Sequence, residues 1–161
     1  MWHDDKGHMC FNSVKNFQIS KAGISWYNSD FIAHFNSGVA GGASWVGTLI
    51  GITDYNNNPS GHKIMVKLEV GSGADYFIGF NRASGINSDS AQGRNKVVVH
   101  KVQDGDGKTY SKSFLKGIIA AGNKMTINNW RKSGKRLVIQ VLQINTAASP
   151  AFARVKITLG G

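Results

Sequence analysis

From residue 44 onward, short apolar runs recur in this sequence, and glycine, asparagine or proline residues that favour turns separate each run from the next. In two of the runs, 63–69 and 136–141, apolar residues alternate with polar or charged residues. Such alternation predicts strands with one buried face and one wet face, which is typical of antiparallel sheets. We predict eight strands, over residues 44–54, 62–70, 75–81, 95–103, 110–115, 124–128, 136–145 and 152–159.

The spacing of these runs also limits the fold class. No helical pattern of about 10–15 residues lies between them, which argues against a parallel α/β fold. The short strands and regular turns instead predict a mainly β fold, with an antiparallel β-sandwich or jelly-roll-like architecture of about eight strands and a short N-terminal helix.

The N-terminal part of the chain has a different pattern. Val14 and Phe17 are spaced as on one face of a helix, and either Asn12 or Ser13 is available as its N-cap. We predict a short helix over residues 9–19. Because this helix has few apolar residues, we expect it to pack on the outside or at an end of the β fold.

The length of 161 residues fits one domain with a short helical appendage. Small residues at 38–43 indicate the connection between the two, so we expect an N-terminal helical segment at 1–37 and a β-sandwich domain at 38–161. No apolar run approaches the about 20 residues that a membrane-spanning helix needs. We therefore expect no membrane span.

The formal net charge of +10 favours an acidic partner, either an acidic polysaccharide or an acidic protein surface. Basic residues without an intervening acid are concentrated at 108–136, and solvated strand lysines are the alternative interpretation. The tryptophans are spread along the sequence, so paired stacking on bases is not indicated and nucleic acid is not favoured. The candidate binding residues, with Trp130 expected to be exposed among them, are Lys108, Lys112, Lys116, Lys124, Trp130, Arg131, Lys132, Lys135 and Arg136.

A second candidate group follows the predicted strand at 75–81. The guanidinium group of Arg82 has the geometry to bind a carboxylate or a sulfate. Alternatively, Arg82 and the amides of Asn81 and Asn87 fasten a long connection to the sandwich. Both interpretations are open at the level of sequence.

Metal ligands and catalytic groups form no recognisable pattern. His3 and His8 lack the third and fourth ligands of a typical transition-metal site. The acids at Asp104 and Asp106 fit a hairpin turn better than a calcium loop, because Leu115 stands where such a loop needs a glutamate. The serine-hydrolase signature G-x-S-x-G is missing too. We expect no catalytic residue, no metal and no cofactor.

Two blocks of the sequence resemble gametolysin-type metallopeptidases, which are secreted algal enzymes that digest cell-wall matrix glycoproteins. Residues 9–19 with Trp26 and Tyr27 are similar to the family segment M-C-F-N-x-x-K-x-x-Q-L-G-W-Y that follows the zinc site. Residues 79–87 with Tyr76 are similar to the segment Y-x-x-x-F-N-R-x-x-G-x-N. The insertion at 20–25 departs from the nearly contiguous family pattern.

The zinc-binding motif of that family, H-E-x-x-H, does not occur in the 161 residues. The resemblance therefore implies the non-catalytic C-terminal region of such an enzyme, acting in binding or scaffolding at an extracellular or cell-wall matrix location. Two alternatives remain, a stand-alone structural subunit of a larger assembly in an alga-like organism and a fragment of an active secreted zinc protease. The chain shows no signal peptide, so we expect any secretory signal to lie upstream, and an organellar location stays open.

Overall fold

The computed structural model describes residues 12–21, 31–36, 44–71, 73–105 and 111–160. These residues form a sandwich of two sheets with one short helix, which confirms the predicted mainly β fold. Within them, no helix is long and apolar enough to cross a membrane. The helix is α1 (Ser13–Lys21), and the strands are β1 (Ile32–Phe35), β2 (Ser44–Ile50), β3 (Met65–Leu68), β4 (Tyr76–Asn81), β5 (Lys96–Val102), β6 (Ser113–Ile119), β7 (Lys124–Ile127), β8 (Arg136–Asn145) and β9 (Phe152–Gly160).

The four-stranded sheet has the order β2-β9-β8-β7, and all of its pairings are antiparallel. Its inner face is apolar because every second residue points inward, as Leu137, Ile139 and Val141 do on β8. On the other face of β8, Arg136 is exposed and Gln140 is half-buried. The alternation predicted for this run is therefore confirmed.

The five-stranded sheet has the order β1-β3-β4-β5-β6, with β1 parallel to β3 and the other pairings antiparallel. Eight of the strands that the structure describes were predicted, but β1 was not. It has four residues, and its partner β3 follows only after β2 of the other sheet has intervened. Strand β1 lies in the segment 1–37, so the five-stranded sheet includes residues before residue 38. The division into a helical segment and a β-sandwich domain stays a prediction.

The main core lies between the two sheets. Both inner faces contribute fully buried aliphatic side chains to it. The five-stranded sheet also contributes the aromatic rings of Phe35 and Phe80. Burial of such side chains contributes about 1.5–3 kcal/mol each. The largest fully buried side chains of this core are Trp130, Leu49, Leu68, Ile78, Leu137, Ile139 and Ile157.

A second core lies on the outer face of the five-stranded sheet, which α1 covers. Val14 and Phe17 of the helix are buried against the sheet, and the Phe17 and Phe77 rings lie 5.1 Å apart. Of the two predicted N-cap residues, Asn12 caps the helix, because its Oδ1 accepts a hydrogen bond from the N–H of Lys15 at 3.1 Å. The helix therefore begins at Ser13 rather than at the predicted residue 9, and it ends at Lys21. Helix α1 therefore packs on the outside of the β fold, as expected.

Gly79 lets the helix approach this closely. A Cβ atom at Gly79 would lie 2.2 Å from Ser13 Oγ, a distance that no real Cβ contact tolerates. The start of α1 therefore rests on bare backbone of β4.

The covered face corrects one prediction about β3. The alternation at 63–69 predicts a wet face that includes Lys67, but this side chain is 3% exposed. Its Nζ lies 3.2 Å from Asp75 Oδ2 and 5.1 Å from the centre of the Phe17 ring. Asp75 Oδ1 accepts the N–H of Val70 at 2.7 Å, which anchors the pair to the end of β3. A charged residue is buried here because α1 covers it.

Removal of one charge of this pair should destabilise the fold strongly. Asp75→Asn keeps an oxygen that can accept the Val70 N–H but leaves the Lys67 ammonium buried without a counter-ion. We expect the free energy of unfolding, measured by urea denaturation, to fall by about 3 kcal/mol. The exposed control Asp89→Asn should change it by less than about 0.5 kcal/mol.

The double variant Lys67→Met with Asp75→Asn should recover most of that loss, because a neutral pair carries no uncompensated charge. If the double variant is less stable than Asp75→Asn, the charge balance of this pair does not govern its contribution to stability.

Candidate functional site

The structure divides the predicted basic segment among separate places. The exposed Lys112 and Lys116 belong to the β6 region of the five-stranded sheet, whereas Lys124 and Arg136 lie on strands of the four-stranded sheet. Lys132 and Lys135 are exposed in the connection between β7 and β8. Lys108 lies outside the described residues. The predicted segment thus does not form one surface, although Lys116 and Lys124 line one depression together with Gln140.

The expectation that Trp130 is exposed is wrong, because the β7–β8 connection inserts its indole into the core, where it is 2% exposed and 6.2 Å from the Tyr76 ring. The neighbouring Arg131 is occupied as well. Its Nε donates to the Val70 carbonyl at 2.8 Å, and its Nη1 donates to Asn36 Oδ1 at 3.0 Å. Both residues hold the end of the sandwich together.

A different set of basic residues shares one surface, the outer face of the four-stranded sheet. Gln140 of β8 pairs with Lys124 of β7 on one side and with Lys156 of β9 on the other. Arg154 precedes Lys156 by two residues and shares its face. All three basic side chains are exposed. We call Lys124, Arg154 and Lys156 the basic face, and Arg136 at the start of β8 borders it.

The spacing of the basic face follows from sheet geometry. Two strand spacings, about 10 Å, separate Lys124 from Lys156, and about 7 Å along β9 separate Lys156 from Arg154. No acid lies on any strand of the four-stranded sheet in the described part of the chain, where the acids are Asp54, Glu69, Asp75, Asp89 and Asp104. The face is therefore uniformly positive.

Sequence reasoning did not include Arg154 and Lys156 among the candidate residues. The signal that finds them is the period of two along β9, in which Arg154 and Lys156 alternate with the buried Val155 and Ile157. Their grouping with Lys124 depends on the strand order, which the sequence pattern does not reveal.

Asn81, Arg82 and Asn87 form hydrogen bonds with the connection that follows β4. Asn81 Nδ2 donates to the Gln92 carbonyl at 2.8 Å, and Asn87 Nδ2 donates to Asn81 Oδ1 at 2.8 Å. Arg82 Nη1 donates to Asn95 Oδ1 at 2.9 Å. These bonds fasten residues 82–95 to the sheet. They agree with the interpretation in which Asn81, Arg82 and Asn87 fasten a long connection to the sandwich.

The outer face of the five-stranded sheet carries a groove of about 1180 Å³ between α1, the 82–95 connection and β6. Gly79, Val98 and Ile118 are cross-strand neighbours along its floor, and His100 lies next to Val98 on the same face of β5. We call this feature the sheet groove. It lies on the opposite side of the sandwich from the basic face.

His100 is the unusual residue of the sheet groove. It is 4% exposed, and its buried Nδ1 atom has no hydrogen-bond partner. Burial lowers the pKa of its imidazole from 6.5 to about 4. The side chain is therefore neutral at pH 7 and has unused hydrogen-bonding capacity.

The described residues contain no group of three or more histidine, cysteine, aspartate or glutamate side chains that could hold a metal ion. No protein-family model matches the chain, and neither a curated protein nor a solved structure matches it. The resemblance to gametolysin-type enzymes stays a prediction that rests on its two sequence blocks.

The neutral, buried state of His100 should appear as a pH dependence of stability. Above pH 6.5 the imidazole is neutral in both the folded and the unfolded chain. As the pH falls from 6.5 towards 4, the unfolded chain binds a proton that the folded chain does not, so stability decreases. The full effect is about 3 kcal/mol.

Urea denaturation across this pH range checks the effect against His100→Gln, which stays neutral throughout. Burial raises the pKa of the carboxyl groups of Asp54 and Asp75, which acts in the opposite direction but equally in both proteins. We expect the original chain to lose more stability than the variant between pH 7 and pH 4. Identical pH profiles would show that His100 titrates normally in the folded state.

Proposed function

We propose that this chain is a non-catalytic binding or scaffolding domain that contacts an acidic polymer or an acidic protein surface through the basic face. The observation that carries the proposal is the grouping of Lys124, Arg154 and Lys156, all exposed, on a sheet face whose strands contain no acid.

The spacing of these charges supports electrostatic binding. At physiological ionic strength, screening acts over about 8 Å, which is close to the distances between the three side chains. Their fields therefore add rather than act singly, and a partner with repeated negative charges meets several of them at once. The surrounding Thr126, Gln140 and Thr158 supply hydroxyl and amide groups that can bond sulfate or carboxylate oxygens.

A sulfated or carboxylated polysaccharide fits this pattern, because its charges repeat along an extended chain. The resemblance to gametolysin-type enzymes, which act on cell-wall matrix, supports the same partner class and an extracellular or cell-wall matrix location. In this proposal the domain has no catalytic role of its own. Whether it belongs to a longer metallopeptidase is tested by the full transcript, in which an upstream H-E-x-x-H segment would indicate a protease fragment.

A second candidate function is docking onto an acidic protein surface as a structural subunit of a larger assembly. Two large apolar side chains on the four-stranded sheet favour it, since Val46 is 48% exposed and Leu142 is 40% exposed. Val46 pairs directly with Lys156. Apolar contacts beside positive charges are more typical of a protein interface than of a purely ionic polymer site.

Removal of the basic face should weaken polyanion binding. The triple variant Lys124→Gln, Arg154→Gln and Lys156→Gln removes three exposed charges from one face. We expect its affinity for heparin and for polygalacturonate to fall by about tenfold or more at low salt, because the three fields no longer add. Affinity of the original chain should also fall steeply between low and physiological salt.

The matched control Lys96→Gln, Lys112→Gln and Lys135→Gln removes the same charge from exposed positions outside the basic face. It should retain most of the affinity for heparin and for polygalacturonate. Equal losses in the two triple variants would mean that net charge alone matters, and the basic face would then not be a binding site.

A further inference from the structure

The sheet groove contains two buried side chains whose polar atoms are not fully used. His100 is 4% exposed, and its Nδ1 has no partner. Asn87 is 6% exposed and donates from Nδ2 to Asn81 Oδ1 and to the Arg82 carbonyl. Its own Oδ1 accepts no hydrogen bond from the part of the chain that the structure describes. Buried polar atoms in native proteins nearly always have partners, so the unpartnered His100 Nδ1 indicates a ligand. Asn87 Oδ1 is not a buried atom, and Asn87 lines the same groove, so this oxygen is available to that ligand.

The unused atoms restrict the chemistry of that ligand. Asn87 Oδ1 is an acceptor and needs a donor, whereas a neutral imidazole nitrogen either donates or accepts according to its tautomer. A hydroxyl group satisfies both side chains, because it donates and accepts. A molecule that carries only carbonyl oxygens would leave Asn87 Oδ1 without a donor.

The floor of the groove adds a second restriction. Gly79, Val98 and Ile118 form an apolar strip across three neighbouring strands, and Ile118 is 41% exposed. Burial of an ion against such a strip would be costly without a counter-ion. The charged residues that line the groove, Lys15, Asp104 and Lys112, include both signs, so they do not select an anion as the basic face does.

We propose that the sheet groove binds a neutral pyranose unit of a glycan, with the apolar face of the sugar ring on Val98 and Ile118 and its hydroxyl groups on His100 and Asn87. A pyranose combines an apolar ring face with several hydroxyl groups at its edge, which matches both restrictions. The volume of about 1180 Å³ accommodates linked sugar units. This site is separate from the basic face and goes beyond the proposed function.

Amide NMR spectra recorded during titration with neutral sugars test the proposal. The probes are the methyl pyranosides of glucose, galactose, mannose and xylose, with methyl glucuronide as the charged comparison. We expect at least one neutral probe to shift the amide signals of Val98, His100 and Ile118 at millimolar concentration. Methyl glucuronide should bind more weakly than the neutral probe, because the groove offers its carboxylate no buried counter-ion.

Two variants locate the site. Ile118→Arg places a long charged side chain at the exposed rim, and Asn87→Ala removes the unused acceptor. Each should weaken binding of the neutral probe by about tenfold. The matched control Val46→Arg makes the same kind of change at an exposed aliphatic residue of the other sheet, and it should bind the probe normally. Heparin binding of Asn87→Ala, which changes no charge, should be unchanged, and this separates the site from the basic face.

Three results would overturn the proposal: no neutral probe shifts these amide signals, Ile118→Arg binds as well as Val46→Arg, or methyl glucuronide binds as tightly as the neutral sugars. If one groove variant loses its folded spectrum, the other variant decides by the same comparison with Val46→Arg.

Discussion

Helix α1 lies against the five-stranded sheet, and at its start Ser13 Oγ occupies the space where a Cβ atom of Gly79 would stand. From this contact follows the second core, in which Phe17 packs on Phe77. A sheet that would otherwise have one wet face is thereby covered on both faces. The charged and polar residues of that face lose their water and need partners within the protein or from a ligand.

Two of these residues respond to burial in different ways. Lys67 is buried with Asp75 as a counter-ion, so its charge is compensated inside the fold. His100 has no such partner, and burial instead lowers its pKa to about 4 and keeps it neutral. The first pair lies beside the Phe17 ring of the helix with its charges compensated, whereas the second residue leaves a hydrogen-bonding atom unused in the lining of the sheet groove.

The sandwich thus has two outer faces of different chemistry. The four-stranded sheet presents Lys124, Arg154 and Lys156 to solvent, whereas the five-stranded sheet has a neutral, partly apolar groove beside α1. Two such sites on opposite sides would let one domain hold an acidic polymer and a neutral glycan together. Occupation of one site would then raise the effective concentration of the second polymer at the other, which is how a scaffolding domain links matrix components.

Much of the fold could be predicted from local patterns. Eight strands and the N-cap of α1 follow from alternation, turn residues and the Asn12 side chain, because these signals involve residues near one another in the chain. Strand β1 was missed because its four residues carry too little alternation to be recognised. The predictions that Lys67 and Trp130 are exposed were wrong, because segments distant in the sequence cover both side chains.

The sequence by itself therefore determined the strands, the inward face of the four-stranded sheet and the excess of positive charge, since each depends on composition or on a period of two. The tertiary structure alone decided which basic residues share a surface. Strand order brings Lys124 beside Arg154 and Lys156, which lie about 30 residues later in the chain. It also decided that His100 is buried in the lining of a groove, because the packing of α1 on β5 is a long-range contact that no local pattern of the sequence reveals.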